Sequence, residues 1–243
     1  MKTKLIYLML LILASAYVTS CSKDDDGDKE EIINATLNKT SVTLYVDETS
    51  VLTYSGGKCT WSTDNYLVAE VDNGVVKAKH VGETTIHAND LTCKVTVKPK
   101  YNTYKEPFMG WGSSKSTVKN NMAGYTLKGE DDTNLVYLGK GNITAYAYLF
   151  ENGLLHSSAF YASLINSLDL SDFLLERYWV VDIEEKGSYD YEILLGSVDL
   201  NMGILFSVTS SGCLVAYYEV DTKSSSREQF KEKIKKMHNK QEI

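Results

Sequence analysis

Hydrophobic and polar positions alternate with a period of two through the first half of the chain. Val42, Leu44 and Val46 alternate with Thr43 and Tyr45, the mark of a strand with one buried face. Gly56-Gly57 turns the chain, and Cys59 and Trp61 then share one face of the next strand. Residues 68–71 and 75–78 read as two strands around the tight turn Asp72-Asn73-Gly74. Gly82 breaks the pattern before residues 84–88, and Cys93, Val95 and Val97 line one face of a last strand. Short strands spaced by turn residues predict a small all-β sandwich over residues 32–98.

The second half changes rhythm. Ser113, Ser114 and Ser116 offer helix N-caps, Val118 and Met122 form an i, i+4 apolar pair, and Gly124 stops the helix. Strands follow at 125–127, 135–138, 143–150 and 154–162, separated by Gly129, Gly139-Lys140-Gly141 and the hairpin signal Asn152-Gly153. The order then repeats: Asp169 or Ser171 caps a helix over 172–178, and strands follow at 179–183, 189–195, 203–208 and 213–220. Ser211-Gly212 stands where Asn152-Gly153 stood. The pattern predicts an α+β domain, residues 107–221, of two helix-plus-antiparallel-strand units, by internal duplication or independent origin. Pro99 and Pro107 bracket a linker, 99–106, because proline avoids strand interiors. The chain is therefore expected to be multidomain. Beyond it, Phe230, Ile234 and Met237 make a narrow stripe among Lys231, Lys233, Lys235 and Lys236, so residues 222–243 are expected to be a peripheral, basic amphipathic tail.

Residues 1–20 read as an export signal: Lys2 and Lys4 precede an apolar run over 5–16, too short to span a bilayer comfortably. Cys21 follows at the place where bacterial lipoprotein signals put the lipidated cysteine. Residues 21–31 hold an acidic tether from Asp24 to Glu31 that resembles a surface-export signal of Gram-negative lipoproteins. The expected location is the outer membrane, lipid-anchored and exposed at the cell surface. With a net charge of -7, phosphate-mediated nucleic-acid binding is excluded as an expectation.

The runs Thr60-Trp61-Ser62-Thr63-Asp64-Asn65, Val68 through Ala78, and Gly82-Glu83-Thr84-Thr85-Ile86 resemble the bacterial Ig-like group 2 domain of intimin and invasin type, over residues 34–98. Two positions depart from it: Asp47 replaces a glycine usual in the group, and the connection over 52–58 is short. The resemblance implies a surface spacer or adhesion module and brings no catalytic residue. Strands that are neighbours in Ig-like sheets would carry Cys59 and Cys93, so these two are expected to form a disulfide, with Cys213 reduced in the core. The second domain is similar only in topology to β-lactamase-inhibitor-type and outer-membrane-assembly lipoprotein domains.

Candidate chemistry is sparse. The run Gly110 to Ser116 lacks phosphate-loop spacing, and His80, His87, His156 and His238 fall in no metal-ligating pattern. Asp24, Asp26 and Asp28 echo an EF-hand, but Lys29 stands at its turn glycine. Asp131-Asp132 and Glu184-Glu185 are read as turn acids. No catalytic residue, metal or cofactor is expected. Tyr101, Tyr104, Phe108 and Trp111 suit either a sugar-stacking platform or packing between domains. Tyr137, Tyr146, Tyr148, Tyr161, Tyr189, Tyr191, Tyr217 and Tyr218 crowd the second domain as a recognition surface or as core. The function expected is a non-enzymatic surface lipoprotein whose Ig-like spacer presents a C-terminal binding or adhesion domain. The membrane is its partner through the anchor, and the ligand is an extracellular protein or glycan. The alternatives are a surface enzyme of unrecognised type acting on glycan or peptide, and a structural or assembly accessory lipoprotein.

Overall fold

The computed structural model describes residues 34–186, 190–220 and 227–241; Cys21, the export signal and the tether lie outside them. The described residues are mostly β, with three α-helices and several sheets. The alternating segments of the first half become β1 (Ser41–Tyr45), β2 (Thr49–Val51), β3 (Trp61–Thr63), β4 (Ala69–Asp72), β5 (Val75–Ala78), β6 (Gly82–Ala88) and β7 (Leu91–Lys98). They form a four-stranded sheet ordered β1-β7-β6-β3 and a three-stranded sheet ordered β2-β5-β4. Along β7, Cys93, Val95 and Val97 are buried while Lys94 and Lys98 face water, as the period of two requires. Those three join Leu44, Val76 and Ile86 in a core fed by both sheets, so this part is sandwich-like. The turn between β4 and β5 has Asn73 at φ 46° and Gly74 at φ 81°, the left-handed pair a two-residue hairpin needs. A Cβ at Gly74 would also lie 2.4 Å from the Leu52 carbonyl oxygen.

The second half follows the repeat. Helix α1 (Lys115–Asn121) begins at Ser114, whose hydroxyl accepts from Thr117 N, and buries Val118. Next come β8 (Leu127–Glu130), β9 (Asn134–Leu138), β10 (Ile143–Glu151) and β11 (Leu154–Ala162). After a 3₁₀ turn, Leu164–Asn166, helix α2 (Ser167–Leu175) leads into β12 (Tyr178–Glu185), β13 (Tyr191–Ser197), β14 (Met202–Thr209) and β15 (Gly212–Glu219). All eight strands make one antiparallel sheet ordered β12-β13-β14-β15-β11-β10-β9-β8. The order mirrors itself about the β11–β15 seam. There Ser158 pairs with Tyr217, and each stands equally far along its strand from its own hairpin glycine, Gly153 or Gly212. Equivalent positions pairing with each other at the centre is what a two-fold relation between the two blocks produces.

One face of this sheet is covered by α1, α2 and the segment before α1. Val118 and Met122 from α1 and Leu170, Phe173 and Leu174 from α2 meet Tyr148, Phe160, Phe206 and Tyr217 from the strands. The stretch read as a linker is part of this core. The Tyr104 ring lies 6.0 Å from Phe160 and 5.5 Å from Phe173, centroid to centroid, and Phe108 and Trp111 pack beside it. Tyr104, Phe108 and Trp111 therefore pack into the second half's own core rather than between domains, and Tyr101 is 39% exposed.

Helix α3 (Arg227–Gln241) corrects the expectation of a peripheral tail. Phe230 and Ile234 are fully buried on the other face of the sheet, against Trp179, Val181, Leu194, Tyr218 and Val220. Its apolar stripe is narrow because it fills a groove already walled by a tryptophan, 5.9 Å from Phe230. Lys235 pairs with Asp182 at 2.5 Å, and Arg227 lies 4.6 Å over the Trp179 ring. Leu67, from the loop before β4, enters the same cluster. The described residues from Asn34 onward accordingly make one compact unit.

The seam between the halves is built around one carboxylate. Glu176, at the end of α2, is buried and accepts from Lys100 N at 2.8 Å and Tyr101 N at 3.0 Å. Its carboxylate pairs with Arg177, whose Nη2 donates to Tyr101 O at 2.8 Å. Its carbonyl accepts from Val81 N at 2.7 Å, and Asn65 Nδ2 donates to Val198 O at 3.0 Å.

The expected disulfide is corrected as well: Cys59, Cys93 and Cys213 are free thiols. Cys59 precedes β3, which pairs with β6, and β6 in turn pairs with β7, where Cys93 sits opposite Ile86. Two strand spacings alone set their segments roughly 9–10 Å apart, and Cys59 lies four residues before Thr63, the residue level with Cys93 through Ile86, whereas a disulfide needs Cα atoms within about 7 Å. Cys93 belongs to the sheet and Cys59 to the segment that leads into it, with β6 running between β3 and β7.

Candidate functional site

Helix α3 covers only part of the sheet's second face. Across the four central strands, cross-strand pairing sets Ala145, Tyr161, Leu214 and Ser207 in one row on that face. The next row is Ala147, Ala159, Ala216 and Leu205. Small side chains in the second row make a low floor, and where the strands end the first row opens into a cleft of about 580 Å³. Thr144, Ser163, Ser207, Thr209 and Ser211 supply hydroxyls to its lining, and no residue with a formal charge at neutral pH takes part.

Some of these hydroxyls are spent on local structure. Thr144 Oγ1 donates to Tyr161 O at 2.9 Å, and Thr209 Oγ1 donates to Gly212 O at 3.2 Å while sharing a 2.9 Å bond with Ser211 Oγ. Ser163 precedes the 3₁₀ turn without a side-chain cap bond. Among the described residues, the hydroxyls of Ser163 and Ser207 make no hydrogen bond. Cys213 lies at the cleft's base but packs into the core on the opposite face, where burial pushes its thiol pKa up and keeps it protonated. In the 3₁₀ turn and helix start that follow Ser163 in sequence, Ile165 is 88% and Leu168 81% exposed.

Most tyrosines expected at a surface are structural. Tyr137, Tyr146, Tyr148, Tyr217 and Tyr218 are buried, Tyr161 and Tyr191 are exposed, and Tyr189 lies outside the described residues. Three buried phenols find acceptors in the 99–112 stretch: Tyr146 donates to Lys105 O at 2.8 Å, and Tyr178 and Tyr217 both donate to Glu106 Oε1, the latter at 3.1 Å. The candidate acids are also structural. Asp131 accepts from the Thr133 and Asn134 backbones and from the Asn134 side chain, and these bonds pull its pKa down to about 2. Glu184 and Glu185 lie in β12, not in a turn, and Glu184 pairs with Lys186 at 3.0 Å.

The three histidines with described side chains take separate partners. His80 Nδ1 contacts Leu67 O at 2.6 Å, and burial lowers its pKa; His87 pairs with Asp64 at 2.8 Å and His156 with Glu151 at 3.6 Å. Among the described residues no cluster of three or more His, Cys, Asp or Glu is placed to hold a metal ion, and no helix is long and apolar enough to cross a membrane.

Apart from Tyr161, the cleft residues were missed as site candidates at the sequence level. Their one signal was the run of small residues at Ala145, Ala147, Ala159 and Ala216, on the strand face opposite Tyr146, Tyr148 and Tyr217. Comparison with family models and with curated proteins found no match for this chain.

Proposed function

We propose that this chain is a non-catalytic lipoprotein of the bacterial outer surface, anchored through Cys21, in which an Ig-like lobe supports a ligand-binding eight-stranded sheet. The observation that carries this reading is the cleft on the open sheet face: it offers hydroxyls and an aromatic ring but no acid, base or activated nucleophile. Binding needs a shaped surface, whereas hydrolysis or transfer needs a group able to move a proton or attack.

The Ig-like assignment gains support from a detail of the backbone. Asp47, the residue that replaces a glycine usual in that group, sits at φ 68°, in the region glycine favours. The parallel pairing of β1 with β7 and the two-sheet core are in keeping with the same reading.

The test uses the full chain on whole cells and in purified form. Cys21→Ser should move the protein from the membrane to the soluble fraction; continued membrane retention contradicts the anchor. Purified protein incubated with extracted surface polymers and proteins should retain a ligand unchanged, and Ser207→Trp, which fills the cleft, should abolish retention. Chemical turnover of any retained ligand contradicts the binding reading.

A further inference from the structure

We propose that the cleft between the ends of the central strands is a binding site for a neutral saccharide, an inference that rests on the binding reading above. Its wall chemistry sets the ligand class. A hydroxyl both donates and accepts, so a lining rich in serine and threonine and free of charge matches a ligand that presents many hydroxyls of its own. Ser163 and Ser207 stand ready, with no competing hydrogen bond among the described residues. Tyr161, 43% exposed in the first row of the open face, offers a ring to the C–H face of a pyranose.

Two alternatives fit less well. An extended peptide would normally add to a free strand edge, but β10, β11, β14 and β15 are each paired on both sides, so the cleft offers no backbone ladder. An acidic polymer would meet a chain of net charge -7 and no lysine or arginine in the lining.

The experiment measures binding of the full chain to immobilised starch, dextran, mannan and xylan, with polygalacturonate and heparin as acidic controls. At least one neutral polymer should be retained, with little change at high salt because no ion pair is involved. Tyr161→Ala should weaken that binding about tenfold, equivalent to ~1.4 kcal/mol, and Ser163→Ala/Ser207→Ala should weaken it several-fold, both with an unchanged thermal midpoint. Retention of no neutral polymer, preference for the acidic controls, or indifference to Tyr161→Ala overturns the saccharide assignment. Capture of a protein ligand that Tyr161→Ala leaves intact overturns it while the binding reading survives. Release of reducing sugar from a bound polymer defeats the binding reading itself.

Discussion

At the scale of single residues, the buried phenols decide what this fold tolerates. Tyr148 accepts from Phe108 N at 3.3 Å and donates to Met122 Sδ, and burial raises its pKa to about 12. Tyr218 is raised to about 12 by burial as well. A group whose pKa is higher in the folded state contributes fully below its unfolded pKa, about 10 for tyrosine, and loses that contribution as pH rises through the folded value. The urea midpoint should thus be level between pH 8 and pH 9 or so and fall steeply between about 10 and 12; a level midpoint through 12 would show these phenols to be hydrated. Period-two alternation did place Tyr146 and Tyr148 on one face of a strand. Which face was illegible, because the groups that satisfy their hydroxyls, Lys105 O, Phe108 N and Met122 Sδ, are distant in sequence. Glu176 was invisible for the same reason: nothing in its neighbourhood in sequence announces Lys100, Tyr101 or Val81.

Among the elements, α3 shows the limit of periodicity most plainly. Phe230 and Ile234 mark a helix with one apolar stripe, and the helix is there. The stripe is silent about its partner, since Trp179, Leu194 and Tyr218 come from three different strands. Phe230→Ala should cost about 3–5 kcal/mol, read from urea unfolding, because it empties a closed site beside Trp179. A change below about 0.5 kcal/mol, the usual surface value, would return the helix to a peripheral role.

The cysteines make the matching point for strands. Strand existence was legible from alternation, but strand order was not, and the insertion of β6 between the cysteine-bearing segments removes the disulfide. Native protein without reductant should be alkylated at Cys59 and spared at the buried Cys93, and urea alone should open Cys93 to labelling. A Cys59–Cys93 peptide in a non-reduced digest would contradict this arrangement.

Across the whole molecule, the repeat of helix and meander was readable because each block carries its own turn signals, Asn152-Gly153 and Ser211-Gly212. The union of its two halves was not, because it depends on side chains that meet only after both have formed. Glu176 is 4% exposed and its partner Arg177 is 14% exposed by side chain, so Glu176→Ala leaves the guanidinium without its counter-charge and the Lys100 and Tyr101 N–H groups without their acceptor. The loss should be about 3 kcal/mol or more, with unfolding remaining a single transition. Two separated transitions would show the halves to be independent.

The open sheet face emerges only at this scale, where α3 stops short and the small residues of four strands line up. Hydrogen exchange of the full chain with and without its retained ligand tests the central claim most directly. The account predicts slowed exchange at the ends of β10, β11, β14 and β15 and in the turn carrying Ser163, with β1 to β7 unchanged. Protection confined to β1 to β7 would contradict it.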